Sequence, residues 1–301
     1  MKNIKKTIKK IVISILLIIL FGFIYSMGIA TYETIIANKQ IKTFKEKAIF
    51  EYEETIIYQG VTQTRKYYKV SRETSYEIND SRSVFSDESR ETLGQKGDIF
   101  LSSKSPFPNI PVIHQWIGLN FGGHAAILDE DNKFIEAVGF PAAGETIFDF
   151  ILHPGNKPHN FTATVNKTSD NYWLNPTFRQ ADDSLYDGYY RDKFVGVRVK
   201  DITTEEIDNA VSFARDKVGI NLYNFLFFLD VKYKYYCTDL ISRAYEKALI
   251  ASNKQKYYPK VLNDDGFITS VNDILLSKYS YITFYVEIVD GVVHIYYLED
   301  I

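Results

Sequence analysis

The chain opens with five lysines in its first ten residues and then runs through residues 11–30 without a charged side chain. As a helix, twenty such residues are about 30 Å long, the thickness of a bilayer's hydrocarbon core. Lysines flank only one end of this run, and that end is expected to stay cytoplasmic, which puts everything after Thr31 outside a cell membrane crossed once. Gly28-Ile29-Ala30 also has the small-x-small form of a signal-peptide cleavage site, and cleavage there would leave a secreted domain. Both readings export the folded part.

An exported chain with one cysteine in 301 residues has no intrachain disulfide, so packing must hold it together. With 46% apolar and 24% charged residues it can bury a full core. Its 23 tyrosines and 21 phenylalanines suit a β-rich one. A net charge of −3 gives no electrostatic footprint for nucleic acid, and no Cys/His cluster has zinc-ligand spacing. Neither partner is expected.

The pattern divides the chain into residues 1–30, the anchor or signal; 31–93, a helical stalk followed by a polar connection; 94–280, the main domain; and 281–301, a terminal hairpin. In the stalk, Ile35, Ile36, Phe44, Ala48 and Ile56 recur at loosely helical spacing before Gly60, which fits a spacer or a helix packed on the domain equally well. Gly97-Asp98-Ile99-Phe100-Leu101 reads as a turn leading into a strand, with Asp98 as turn chemistry. His124–Leu128 and Phe134–Ala137, joined by residues 130–132, form a candidate hairpin. Residues 140–190 hold Gly, Pro, Asn and Asp throughout and read as a long loop. Phe194 to Val199 is a further strand. Thr203-Thr204-Glu205-Glu206 has capping-box form ahead of an apolar helical period. A second helix follows with Cys237 in its first turn, and Asp290-Gly291 marks a tight hairpin. The mixture indicates an α+β domain.

The lone thiol is either buried filler or chemistry. A free cysteine is only a few per cent thiolate at pH 7, and lowering a thiol's pKa by two units takes about 2.7 kcal/mol. A helix N-terminus supplies roughly 0.3–1 kcal/mol, so a reactive cysteine here needs an imidazole as well. Of the five histidines, His114, His153 and His159 lie in Pro/Gly/Asn-rich stretches, and His294 lies in a terminal strand without an obvious acidic supporter. His124 opens a strand behind Gly122-Gly123, whose missing side chains leave room for a substrate. If Asp129 stands opposite Lys133, then Leu128 faces Phe134, Ala126 faces Glu136 and His124 faces Val138. Strand alternation then puts Glu136 diagonally beside His124 on one face, within reach of a long carboxylate. That is the geometry of a residue that orients an imidazole.

Gly123-His124-Ala125-Ala126-Ile127-Leu128 followed by Phe134-Ile135-Glu136-Ala137 resembles the His strand and following strand of NlpC-type papain-like hydrolases, where the third catalytic residue stands twelve positions after the His. Tyr235-Tyr236-Cys237-Thr238-Asp239-Leu240-Ile241 comes after these strands rather than before them, as in the circularly permuted, YiiX-like branch, in which Gly-Asp-Ile also opens the first core strand. The resemblance covers about residues 94–280. It implies an antiparallel sheet packed on helices, with Cys237 as nucleophile, His124 as base and Glu136 as orienter, no cofactor, and thiol-based cleavage of an amide or ester through an acyl-enzyme. Location and resemblance together point to cell-wall peptide amides first and lipid-linked or amino-acyl amides second. The alternatives are an acyltransferase on lipid-linked substrates with the same triad, and a catalytically inert surface module.

Protease added to intact spheroplasts is expected to digest the part after Thr31, and protection until the membrane is broken would reverse the assigned topology.

Overall fold

The computed structural model describes residues 2–104, 113–157, 159–175, 191–227, 231–252 and 268–300, together with 229, 254 and 262. Helix α1 (Lys2–Glu46) is unbroken over 45 residues. Its first half is exposed from Ile8 to Tyr25 and has a mean hydropathy of 2.6 over its most apolar window, enough to cross a bilayer. Its second half is docked. Ala30, Ala37 and Phe44, spaced seven apart and therefore on one helix face, are buried against the domain. Asn272 donates to Thr34 Oγ1 over 3.1 Å, and Lys45 pairs with Glu287. Of the two readings of the stalk, the packed helix is the one observed.

That helix ends earlier than its apolar spacing suggests. Residues 49–58 form strand β1 (Ile49–Tyr58), which turns through Gln59 and Gly60 into β2 (Val61–Val70). Both turn residues have positive φ, 49° and 82°, the signature of a two-residue type I′ loop whose twist matches its strands. Tyr52, Ile56 and Tyr58 face inward at a period of two, and Ile56 had been read at the wrong period.

Nine strands form one sheet in the order β1-β2-β11-β10-β7-β3-β4-β5-β6. The strands not yet placed are β3 (Ile99–Ser102), β4 (His124–Leu128), β5 (Phe134–Ala137), β6 (Val165–Lys167), β7 (Lys193–Val199), β10 (Ser280–Val289) and β11 (Val292–Leu298). Neighbours are antiparallel except β11 and β2. The terminal hairpin is thus an interior part of the sheet: β10 pairs with β7 on one side and β11 on the other. The division at 93 and 280 also fails for β2, which pairs with β11. Both boundaries were drawn at polar stretches, but strand pairing carries the chain back across them.

Interior strands β3, β5 and β7 are buried along nearly their whole length, as strands covered on both faces must be. Phe100, Phe134, Phe194 and Phe284 interlock with Trp173 on one side, with Phe100 to Phe134 and Phe284 at 4.7 and 4.9 Å between centroids. Gly196 admits this cluster, since a Cβ there would lie 2.1 Å from the Phe284 ring. The long-loop reading of 140–190 is corrected in part. Thr146 and Asp149 form a capping box that starts helix α4 (Ile147–Leu152), β6 closes the sheet edge, and 176–190 lie outside the described residues.

Helix α5 (Thr204–Arg215) starts at the capping box of Thr203 and Glu206 and packs on α6 (Cys237–Ala251), which lies across β4 and β5. Short helix α7 (Val271–Leu276) lies between α1 and strands β3 and β10, α3 (Ile113–Asn120) packs on α1, α2 (Ser75–Asn79) follows β2, and β8 (Leu222–Tyr223) pairs with β9 (Lys234–Tyr235) in a separate two-stranded sheet. Asp98 does more than shape a turn. It is fully buried and forms a two-pronged pair with Arg198 of β7, at 2.6 and 2.9 Å. Arg198 also donates to the carbonyls of Arg82 and Ser83.

Asp98→Ala should therefore cost about 3–5 kcal/mol by leaving a buried guanidinium unpaired, whereas Asp98→Leu combined with Arg198→Met should recover most of it. Urea midpoints of the three proteins provide the check, and equal losses in all variants would remove the pair as the cause.

Candidate functional site

The β4–β5 hairpin has the register read from its sequence. Leu128 pairs with Phe134 and Ile127 with Ile135, and the Asp129 N–H donates to the Lys133 carbonyl. The loop closes through Asn132 at φ 56°, where the short Asn side chain tolerates the left-handed region. Continued along the strands, this register sets Glu136 beside His124, and the two side chains meet: His124 Nε2 lies 2.8 Å from Glu136 Oε2. Tyr172 donates its hydroxyl to the same carboxylate oxygen over 2.5 Å. Trp173 lies nearly parallel to the imidazole, with an 18° interplanar angle.

Cys237 is the first residue of α6, behind Tyr236, which supplies no side-chain cap. The first-turn N–H groups consequently have no intrahelical partner. The Tyr236 hydroxyl accepts from the Thr269 N–H, and Thr238 donates to the Thr269 carbonyl, so both neighbours of Cys237 are tied to the segment leading into α7. The Cys237 side chain lies beside the His124 ring at the wall of the same cavity, near enough to favour the charged imidazole. The three residues singled out in the sequence thus converge on one place, the carboxylate bonded to the imidazole and the thiol beside it.

Burial pushes the His124 pKa down. The charge of Glu136 and the hydrogen bonds to Cys237 and Glu136 outweigh it and raise the imidazole to about 9. Glu136 shows the mirror image: burial raises its pKa, but the charge and hydrogen bond of His124 and the Tyr172 hydroxyl leave it below the usual carboxylate range. At neutral pH the pair is imidazolium and carboxylate.

These groups open into a cavity of about 810 Å³. Its walls include Trp116, Phe121, Phe140, Phe225, Phe227 and Arg191. No family model, no curated protein and no solved structure matches this chain. The site therefore has to be read from its own geometry.

One sequence expectation changes. Gly122 and Gly123 border the cavity, but their missing side chains make room for the protein itself: a Cβ on Gly123 would lie 1.8 Å from the Lys104 carbonyl oxygen, and one on Gly122 2.5 Å from Val271. Asp98 and Asp129 stand away from the cavity lining, occupied by Arg198 and by Arg215 with Lys167. Tyr172 and Trp173, which hold the carboxylate and the imidazole, were passed over in a stretch dominated by turn residues; the aromatic pair itself was the available signal. Of the other histidines, His153 accepts from the Gly155 N–H, His159 bonds the Ile220 carbonyl and His294 the Tyr68 hydroxyl, all outside the cavity lining. The side chain of His114 lies outside the described residues.

The raised imidazole has a stability consequence with a definite sign. The folded state keeps a proton that the unfolded chain releases near pH 6.5, so its contribution is complete below 6.5 and is lost as pH rises to about 9. Unfolding free energy should fall across that window by up to about 3 kcal/mol more in the parent than in Glu136→Gln. The His124 ring resonances should titrate above 6.5 in the parent and lower in the variant; coincident titrations would exclude the ion pair as the cause.

Proposed function

We propose that this protein is a membrane-tethered, extracytoplasmic cysteine hydrolase with a permuted papain-like core. The observation that carries the reading is one buried imidazole bonded to a carboxylate and set beside a helix-terminal thiol at the wall of a cavity. Each neighbour supplies what the chemistry requires. Cys237 and His124 share one proton, which sits on the imidazole as the thiolate attacks a substrate carbonyl, forming a C–S bond. Glu136, held by Tyr172, orients the imidazole and stabilises its charged form. The Cys237 N–H at the start of α6 is one donor to the developing oxyanion. The imidazolium then protonates the departing amine or alcohol, and water, deprotonated by His124, hydrolyses the thioester.

The helix-borne uncharged run and its one-sided lysines support the tether and its orientation. The bond cleaved is an amide or ester carbonyl. An exported domain near the wall favours peptide amides as the first class to screen.

Alkylation of the single thiol by iodoacetamide at pH 6 should be at least tenfold slower in His124→Ala than in the parent. Turnover of cell-wall fragments or of acyl esters should vanish in Cys237→Ala, while Glu136→Gln should retain a residue of activity and His124→Ala less. Full activity in Cys237→Ala would end the nucleophile assignment, and the contacts would then describe an inert binding module.

A further inference from the structure

The uncharged run of α1 ends at Ala30, yet the domain touches this helix below that point. Asn120, the last residue of α3, accepts a hydrogen bond from Ser26 over 3.1 Å and lies 3.3 Å from the Met27 sulfur. Ser26 is one turn, about 6 Å, inside the run. A helix that crosses a bilayer with residues 11–30 therefore holds α3 at the depth of the lipid headgroups or just below.

Helix α3 is also a wall of the cavity. Its Ile117 and Trp116, with Phe121 directly after it, line the space that holds Cys237 and His124. Trp116 stays 38% exposed and meets Phe121 edge to face, the amphipathic placement that tryptophan takes at a membrane interface. Across the cavity Ile147 is another lining residue. Its helix α4 exposes Phe148 at 72% and Leu152 at 80%, a cost in water that a lipid surface would relieve. The interior continues the same character through Phe140, Phe225 and Phe227. A volume of about 810 Å³ is in the range that encloses an organic ligand. A peptide crowded with charges would leave most of this wall unmatched.

We infer that the cavity opens onto the bilayer and takes the acyl chain of a membrane lipid, presenting its ester or amide carbonyl to Cys237. This rests on the hydrolase reading above and replaces its first substrate class. The lipid enters sideways past Trp116, its chain lies along the aromatic wall, and its carbonyl stops at the thiol. The Cys237 thiolate forms a C–S bond to the acyl carbon as the C–O or C–N bond breaks. The lipid's alcohol or amine leaves with the imidazolium proton. Water then cleaves the C–S bond, releasing a fatty acid and restoring the thiol.

The test uses the full chain in phosphatidylethanolamine/phosphatidylglycerol nanodiscs, with p-nitrophenyl acetate, octanoate and dodecanoate as substrates. Burial of a methylene is worth about fourfold, so kcat/KM should rise at least tenfold from acetate to dodecanoate. Partitioning into lipid raises long-chain rates for any enzyme in the disc, so Val138→Trp, which fills the cavity, is compared. The rise should disappear in that variant. Its thermal transition should match the parent's; if it does not, Ile147→Trp at the exposed rim replaces it. Trp116→Asp should raise KM for dodecanoate more than it lowers kcat. Cys237-dependent turnover of acetate with a flat chain-length profile, or an equal rise in the filled variant, overturns the lipid assignment and leaves the hydrolase reading intact. No Cys237-dependent turnover of any ester, together with iodoacetamide alkylation indifferent to His124→Ala, overturns both.

Discussion

A carboxylate and a guanidinium sealed together, Asp98 on the approach to β3 and Arg198 on β7, are the constraint on which the rest of this molecule hangs. The Asp98 carbonyl accepts the Leu128 N–H and so begins the β3–β4 pairing, which ends with Ser102 opposite His124. The imidazole is thus positioned by a ladder whose first rung is beside the ion pair. Two charges buried this deeply are tolerated because each finds further partners: Asp98 accepts the Gln95 N–H, and Arg198 reaches two carbonyls of the preceding loop. Replacing one partner leaves the other stranded, and the register of β3 against β7 and β4 loosens with it.

At the cavity, a similar dependence runs through a single carboxylate oxygen. Glu136 Oε2 faces both His124 and the Tyr172 hydroxyl. Tyr172 is in turn covered by the Arg191 guanidinium, 3.7 Å from its ring centre. The imidazole therefore has a hydrogen-bonded edge and a stacked face, which restricts rotation about its side-chain bonds. An imidazole held this way needs little reorganisation when a proton moves.

Local signals carried the reading of the sequence a long way where the chemistry is local. The capping box at Thr203, the Asp290-Gly291 turn and the three-residue loop after Asp129 each specify geometry within a few residues, and each gave the element observed. The contact of His124 with Glu136 was legible for the same reason, because hairpin register is arithmetic on adjacent strands. What was illegible depends on partners far along the chain. Residues 49–58 were read as helix because their apolar spacing was weighed without β2, and 281–301 looked like an appendage because nothing near it in sequence announces β7. Asp98 looked like a turn residue because its guanidinium stands a hundred positions away. The roles of Tyr172 and Trp173 likewise depend on a hairpin some forty residues upstream.

Helix α1 has no joint between its exposed apolar half and its docked half. Bonds at Ser26, Thr34 and Lys45 secure it to α3, α7 and β10 in succession, over roughly 28 Å of its length. The helix runs unbroken through Ser26 and Gly28 at that junction, so tilt and rotation of the helix become tilt and rotation of the whole body. With residues 11–30 across a bilayer, the thickness of that bilayer, by setting how such a peg leans, would also set the height of the cap above it.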